Sequence, residues 1–518
     1  MPNPPRLFIT FAMIGFGSAL VYLGALLRFP LLAIYDVPLQ NLDKLTNSAP
    51  GTGLAIAGCV LLLFVGYGLG ALALARGREV RGVTGAMLLG FPLIFAVILL
   101  FVYPTTSLDV YDYLFRGRMA VRYAANNFVQ VPADFQNDPL IAAKPFRFIP
   151  WHHAVTAYGP LWEAVSAATA WLSGERFGSA PTGIDPELRN LLIGYKLLGM
   201  LGFLVCSVAI WLALRVTAPP QRWLGLYVWL WNPLVLWESV AAAHNDAWMM
   251  ATIVLALALM SRRTERPITG SFIRPLASFL ALTIGALFKY LALIFGPLLL
   301  AASLRRLTTW RERITLIGVS ALVCGGLVML AYTPFWQGMA TLRNFGDRGT
   351  LFYATWMAAA QAGAQELGVT KELAQRAMSA LATALLAGGV MFSAWRAWQE
   401  PDDVAAHALG LLLWFLLVAN PWFQPWYLLW PLALVAIQPG RRPVVGAVML
   451  FSLTAMLSYL AGSFLLPLLG WKGDSAVWNA LLSVFIYGPP LLVLFSHRKA
   501  VVATGFRVQP QMNADERR

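Results

Sequence analysis

The sequence predicts an all-α, polytopic transmembrane bundle with about fourteen spans and amphipathic surface helices in a long outer loop. Three observations point there. Of 518 residues, 59% are hydrophobic and only 12% are charged, about half the charged share of a soluble domain. The apolar residues fall into long runs separated by short basic links. No stretch between the runs is large enough to fold as a soluble domain of its own. A soluble globule needs far more polar surface than this, so a cytosolic enzyme and a disordered chain are both excluded. The net charge of +14, from 38 basic and 24 acidic residues, sits mainly in the links. That is the positive-inside pattern of cytoplasmic loops. Nucleic acid is excluded as a partner, because no basic face interleaved with aromatics lies outside the runs. The partner these features require is the lipid bilayer.

The runs lie near 7–28, 52–75, 83–104, 190–214, 222–241, 246–261, 276–288, 290–304, 314–333, 374–394, 405–419, 425–438, 443–466 and 475–496. The first follows a single basic residue, Arg6, and no convincing small-residue cleavage site follows it, so it reads as a retained span. Cytoplasmic links are marked by Arg76, Arg78 and Arg81, then Arg215 and Arg222, then Arg262, Arg263, Arg266 and Arg274. Arg305, Arg306, Arg311 and Arg313 mark the next, Arg396 a weaker one, and Arg441 with Arg442 and Arg498 with Lys499 the last two. Between Arg274 and Arg305 both ends are basic, so an even number of crossings must intervene. A tight hairpin with Lys289 at its outer tip meets this and keeps the charge out of the bilayer centre. The alternative is one long tilted helix with Lys289 snorkelling. Residues 1–497 then form one integral-membrane unit, with outer loops 105–189 and 334–373. Residues 498–518 form a cytoplasmic tail, and both termini are cytoplasmic. In the first loop, 109–123 and 158–173 read as amphipathic surface helices. Cys59, Cys206 and Cys324 are far apart and read as small buried apolar residues.

Polar residues gather at the outer ends of the spans. Asp109 and Asp112, three apart on one helix face, are followed by Arg116. His152, His153, Tyr158 and Glu163 lie further along the loop. The fifth run ends in Glu238, His244, Asn245 and Asp246. Lys289 and Tyr290 tip the hairpin; Arg343, Asp347 and Arg348 lie in the second outer loop; Asn420, Gln424, Trp426 and Tyr427 form another outer turn. Ionisable groups at membrane depth point to function. Acids, bases, amides and aromatics on one face make a reaction site at the outer interface, fed by a lipid-linked substrate.

Five blocks carry a family resemblance: DVYDYLFRGRM (109–119), AYGPLW (157–162), WNPLVLWESVAAAHNDAWM (231–249), FKY (288–290) and QPWYLLW (424–430). In order over about 320 residues, they resemble the membrane-embedded GT-C glycosyltransferases, closest to the bacterial polyprenol-phosphate-mannose-dependent α-1,6-mannosyltransferases. One block departs: a Gly-x-(Asn or Asp)-Pro-Tyr turn is usual after the first, and here the stretch reads YAANNFVQVP. That puts the choice of sugar and acceptor in question. The resemblance implies inverting transfer of a sugar, mannose by analogy, from a polyprenyl-phosphate donor to an extracytoplasmic glycan or glycolipid acceptor.

On that reading Asp109 is the general base for the acceptor hydroxyl, with Asp112 as second candidate or as the partner of Arg116. The bland reading is that both acids only cap the helix. Lys289, Arg116, His244, Arg343 and Arg348 are candidates for the donor phosphate, Lys289 first. Tyr113, Tyr158, Glu238, Asn245, Asp246, Tyr290, Gln424, Trp426 and Tyr427 are candidates for substrate binding. Against these stand helix caps for Asn245 and Asp246 and interfacial anchoring for Trp426 and Tyr427. No metal or cofactor is required, although Asp109 and Asp112 with His152 or His153 would suit a divalent cation. Two further classes fit the composition: a transporter or flippase for lipid-linked substrates, with polar residues at interrupted helices, and a non-catalytic scaffold. Against the transporter stand the absence of a clear internal repeat and the gathering of polar residues at one face.

Overall fold

A computed structural model describes residues 4–35, 41–76, 80, 82–143, 151–178, 184–261, 272–345 and 351–504. Arg78, Arg81, Arg262, Arg263, Arg266, Asp347, Arg348 and residues 505–518 lie outside the described residues, as do the side chains of Arg343, Arg498 and Lys499. Among the described residues the chain is helical, with no β-strand, as expected of a polytopic all-α membrane protein. Among the described residues nine helices are long and apolar enough to cross a membrane: Leu7–Arg28, Pro50–Ala75, Gly82–Leu100, Pro186–Thr217, Trp310–Phe335, Lys371–Gln399, Pro401–Ala419, Arg442–Leu469 and Ala476–Ser496. Four apolar helices are shorter: Asp246–Met260, Ile273–Phe288, Tyr290–Arg305 and Pro425–Ala436. The remaining run, 222–241, is broken in two.

Each break has a local cause. Between Arg222–Leu230 and Pro233–Leu236 stands Asn232, whose side chain accepts from the Leu234 and Val235 amides while Pro233 starts the next helix. The chain then widens into a π-turn over Trp237–Ala241. At Lys289 the Ile273–Phe288 helix stops in an extended residue (φ −153°, ψ 126°), and a 3-10 turn, Tyr290–Phe295, leads into Gly296–Arg305. The returning limb packs back on the first, so a Cβ on Gly285 would lie 3.4 Å from that of Ala292. The hairpin expected from the charge count is formed.

Asp246–Met260 and Leu429–Ala436 sit at the centre, buried along most of their lengths. The Ile184–Thr217 helix packs beside Asp246–Met260. Trp310–Phe335 is peripheral and mostly exposed, whereas more than half of the apolar stretch of Pro186–Thr217 is buried. Its outward residues, such as Leu322 and Met329, are apolar, the surface a lipid-facing helix needs. At the end opposite the polar cluster, link arginines serve open helix ends. Arg306 Nη1 donates to the Met260 carbonyl at 2.7 Å, and Arg442 Nη2 to the Ala75 carbonyl at 3.0 Å.

Two expectations need correction. Asp109–Arg122 is not a half-exposed surface helix: Arg116, Arg118 and Arg122 are all buried. Its basic face is covered by the rest of the loop. Arg118 bonds Asp138 and Glu187, both at 2.9 Å, and also Glu175; Arg122 bonds Glu175 at 2.8 Å and Glu187 at 3.2 Å. Burial works against the Arg118 charge, and Asp138 and Glu175 more than restore it, leaving its pKa above the ordinary arginine value. The Pro160–Leu172 helix is amphipathic as expected, burying Trp162 and Glu163 and exposing Trp171 and Leu172. Of the cysteines only Cys206 is buried; Cys59 is exposed on an outer helix and Cys324 partly so.

Candidate functional site

The site is assembled from five segments at one end of the bundle. Asp109 opens the Asp109–Arg122 helix, its amide donating to Ser107 Oγ at 3.2 Å. Its carboxylate lies 3.9 Å from His244 Nδ1, and His244 Nε2 lies 3.3 Å from Glu238. The π-turn makes this possible. The Ala242 amide bonds back to the Trp237 carbonyl and the His244 amide to that of Glu238, both at 2.9 Å, with Ala243 left-handed at φ 59°. The extra residue turns Glu238 and His244 toward one point, a common use of π-turns at functional sites.

His244 stacks on Trp426, ring centroids 4.3 Å apart and planes 21° apart. Asp246 is fully buried and holds Lys289 Nζ at 2.7 Å and Trp430 Nε1 at 2.6 Å through one oxygen. The Lys289 ammonium also lies 5.5 Å from the Trp430 ring, 5.8 Å from that of Tyr158 and 5.9 Å from that of Tyr427, within cation–π range. Tyr427 stacks on Trp430 at 4.3 Å. The AYGPLW turn docks on the hairpin tip: the Gly159 amide donates to the Phe288 carbonyl at 3.1 Å, and a Cβ there would lie 2.2 Å from the Leu287 carbonyl oxygen. Tyr290 completes the contact, donating to the Tyr158 carbonyl at 3.0 Å and pairing with the Tyr332 hydroxyl at 2.9 Å.

Four carboxylates lie in or beside the site, and their environments differ. Asp112 is tied to Arg116 Nε at 2.8 Å, Asp246 to Lys289, and Glu238 is buried against His244. Side-chain exposure is 4% for Asp112, 1% for Glu238, 0% for Asp246 and 15% for Asp109. Asp109 is thus the acid nearest the open side. Both Glu238 carboxylate oxygens, both His244 ring nitrogens, both Asn245 amide atoms and Asp246 Oδ2 are buried with no well-formed hydrogen bond among the described residues. So many unsatisfied polar atoms around one point fit a polar ligand such as a sugar. Beside them runs an apolar groove of about 670 Å³, lined by Ala286, Leu287, Tyr290, Val328, Tyr332 and Trp336.

The family model described as "Alpha-(1->6)-mannopyranosyltransferase, N-terminal domain" matches residues 12–305, more than half of the chain, and the MptB C-terminal domain matches 354–466. The chain belongs to this alpha-(1->6)-mannopyranosyltransferase family. Alpha-(1->6)-mannopyranosyltransferase B of Corynebacterium glutamicum is 21% identical over 359 residues, 65% of this chain and 56% of that protein. The chain therefore aligns with little more than half of that relative's length. No solved structure gives a significant match.

All five blocks that carried the resemblance to the family contribute to the one site. Of the predicted residues, Asp109, Glu238, His244, Asn245, Asp246, Lys289, Tyr290, Trp426 and Tyr427 belong to this cluster. Tyr113 is buried beside it, its hydroxyl 3.0 Å from that of Tyr158. Arg116 faces away into the loop: it donates to Asp112, to the Ala154 carbonyl at 2.8 Å and to the Trp151 carbonyl at 3.3 Å. Burial disfavours its charge and Asp112 more than offsets this, so its pKa is raised. Gln424 is partly buried and supplies the carbonyl that starts the Pro425–Leu428 turn. Arg343 lies in the Ala340–Phe345 turn, its side chain outside the described residues, and Arg348 lies outside them entirely. His152 and His153 pack ring to ring at 4.1 Å. Among the described residues no group of three or more His, Cys, Asp or Glu side chains is arranged to hold a metal ion.

Sequence reading missed Trp430 and Tyr459, and it named Glu163 without giving it a role. Trp430 was inside the QPWYLLW block, and its bond to Asp246 gives it a place in the site. Tyr459 is partly buried and lies beside Glu238. Glu163 accepts from Asn127 at 2.7 Å and Thr156 at 2.5 Å and braces the loop behind Arg116; burial raises its pKa above the ordinary carboxylate value, against the pull of Thr156 and Arg116.

Proposed function

We propose that the chain is an inverting mannosyltransferase that takes its sugar from a polyprenyl-phosphate donor and passes it to an extracytoplasmic glycan or glycolipid. The observation that carries this reading is the sequence Asp109, His244, Asp246, Lys289 across one site, ending beside an apolar groove. Lys289 stands where an anionic headgroup would meet the site, and the groove suits an isoprenoid tail. Asp109, the most exposed of the four acids, takes the acceptor's hydroxyl proton. The acceptor oxygen forms a bond to the anomeric carbon from the face opposite the phosphate. The carbon–oxygen bond to phosphate breaks, and its electron pair leaves on polyprenyl phosphate, whose charge Lys289 stabilises. His244 holds Asp109 on one side and Glu238 on the other, and the unsatisfied atoms of Glu238, Asn245 and Asp246 bind sugar hydroxyls. Phosphate charge is met by Lys289, so no divalent cation is needed. The site faces the outer side, with both termini cytoplasmic.

The test uses purified protein with a panel of synthetic polyprenyl-phosphate sugars and a nucleotide sugar, in the presence of mixed membrane glycans. Consumption of polyprenyl-phosphate mannose alone supports the reading. Consumption of another lipid-linked sugar keeps the mechanism and changes the donor. Use of the nucleotide sugar, or of nothing, overturns it.

A further inference from the structure

The Ile184–Thr217 helix carries a lysine whose side chain is fully buried. Lys196 Nζ donates to the carbonyls of Val102 at 2.8 Å, Val240 at 3.2 Å and Ala241 at 2.5 Å. An ammonium has three N–H donors, and here each has its own acceptor. The acceptors are not incidental. The last carbonyls of a helix lack intrahelical donors, and at the π-turn the His244 amide bonds back to Glu238, so Val240 and Ala241 are left open. Val102 stands near the start of the segment that leads from the Gly82–Leu100 helix to Asp109. One cation therefore joins the two backbones that carry Asp109 on one side and Glu238 and His244 on the other.

A second feature of the same helix supports this. Gly199, three residues on and on the same face, lies so close to the π-turn that a Cβ would sit 2.5 Å from the Ser239 carbonyl oxygen and 2.8 Å from Ala243 Cα. Ala243 is the left-handed residue that ends the turn. A non-glycine residue in that conformation persists only where its surroundings hold it.

We propose that Lys196 is a positioning residue for sugar transfer: by tying Val102 to Val240 and Ala241, it sets the distance between Asp109 and the His244–Glu238 pair. This rests on the transferase reading above. Lys196 touches no substrate; its effect on the reaction runs through the two segments it joins.

Lys196→Met keeps the side chain's bulk and removes the donors. We expect kcat per folded molecule to fall about 100-fold, the scale of a misplacement of about 1 Å, with donor KM within about threefold of wild type. Amide exchange should quicken in 102–109 and 238–246 and not along Asp246–Met260 beyond its first turn. A lysine that only stabilises the fold would lower the yield and leave kcat unchanged, and that result overturns the proposal. If Lys196→Met yields no folded protein, Gly199→Ala decides: its methyl displaces the π-turn with the ammonium in place, so the same kcat loss supports the proposal and wild-type kcat overturns it. If the wild-type protein transfers no sugar, the transferase reading fails on its own. The exchange pattern then judges the clamp: quickening confined to the two segments supports it, and none refutes it.

Discussion

Asp109 and Lys289 differ from the charges around them in what they are left able to do. Asp112 and Glu238 are closed off by neighbours, whereas Asp109 keeps an exposed edge beside His244. Lys289 is held by a fully buried carboxylate yet remains 19% exposed, so it can serve both Asp246 and an incoming phosphate. Removing it should cost twice. Lys289→Met leaves Asp246 as an uncompensated buried charge, destabilising the fold by up to about 3 kcal/mol, and raises donor KM at least about tenfold. Adding Asp246→Asn should recover most of the stability and none of the affinity, as thermal melts and donor kinetics on the two variants would show. These residues were legible in the sequence because each stands at the end of an apolar run, where a charge needs a reason. Trp430 and Lys196 were not. A tryptophan near a span end reads as an interfacial anchor, and a single lysine within a 34-residue helix carries no sign of the carbonyls it meets.

Interrupted helices build the site at the scale of the element. Two π-turns, Trp237–Ala241 and Phe415–Ala419, each run directly into a site turn. The Asn232–Pro233 break and the Lys289 hairpin could be read from residue type, but a single-residue widening of a helix leaves no periodic trace, so the π-turns could not. The burial of Asp109–Arg122 was misread for a related reason. Its polar face looks solvent-bound, and the acids that pair Arg118, namely Asp138, Glu175 and Glu187, are 20, 57 and 69 residues away in the chain. Gly159 matters to the same assembly. Gly159→Ala must push the AYGPLW turn off the Leu287 carbonyl, at a cost of about 1–3 kcal/mol, and move Tyr158 away from Lys289; transfer should fall further than the melting temperature alone explains. Glu163 predicts a pH effect. Its folded pKa is raised above the ordinary 4.5, so its contribution to stability is complete below that value and is lost as pH rises through the folded value. Glu163→Gln should therefore gain in melting temperature relative to wild type as pH rises above that ordinary value. A constant difference would contradict that assignment.

At the scale of the whole molecule, the bundle presents a polar centre at one end and apolar walls on its flanks. The groove along Val328 and Tyr332 opens beside Lys289's neighbour Tyr290. If it seats the donor tail, Val328→Trp should raise KM for a long-chain donor several-fold more than for a short-chain one, with kcat little changed; equal effects on both would place the tail elsewhere. Fold class, the hairpin and the gathering of polar residues at one end were legible from composition and charge spacing. The groove was not, because it is made by apolar residues from two helices about 40 positions apart in the chain. The most direct test of the account is transfer by Asp109→Asn beside the wild-type protein, with polyprenyl-phosphate mannose as donor. The account predicts a folded variant that still binds donor and turns over at least about 100-fold more slowly. Near-normal turnover would contradict it, because no other carboxylate in the site reaches the open side as Asp109 does.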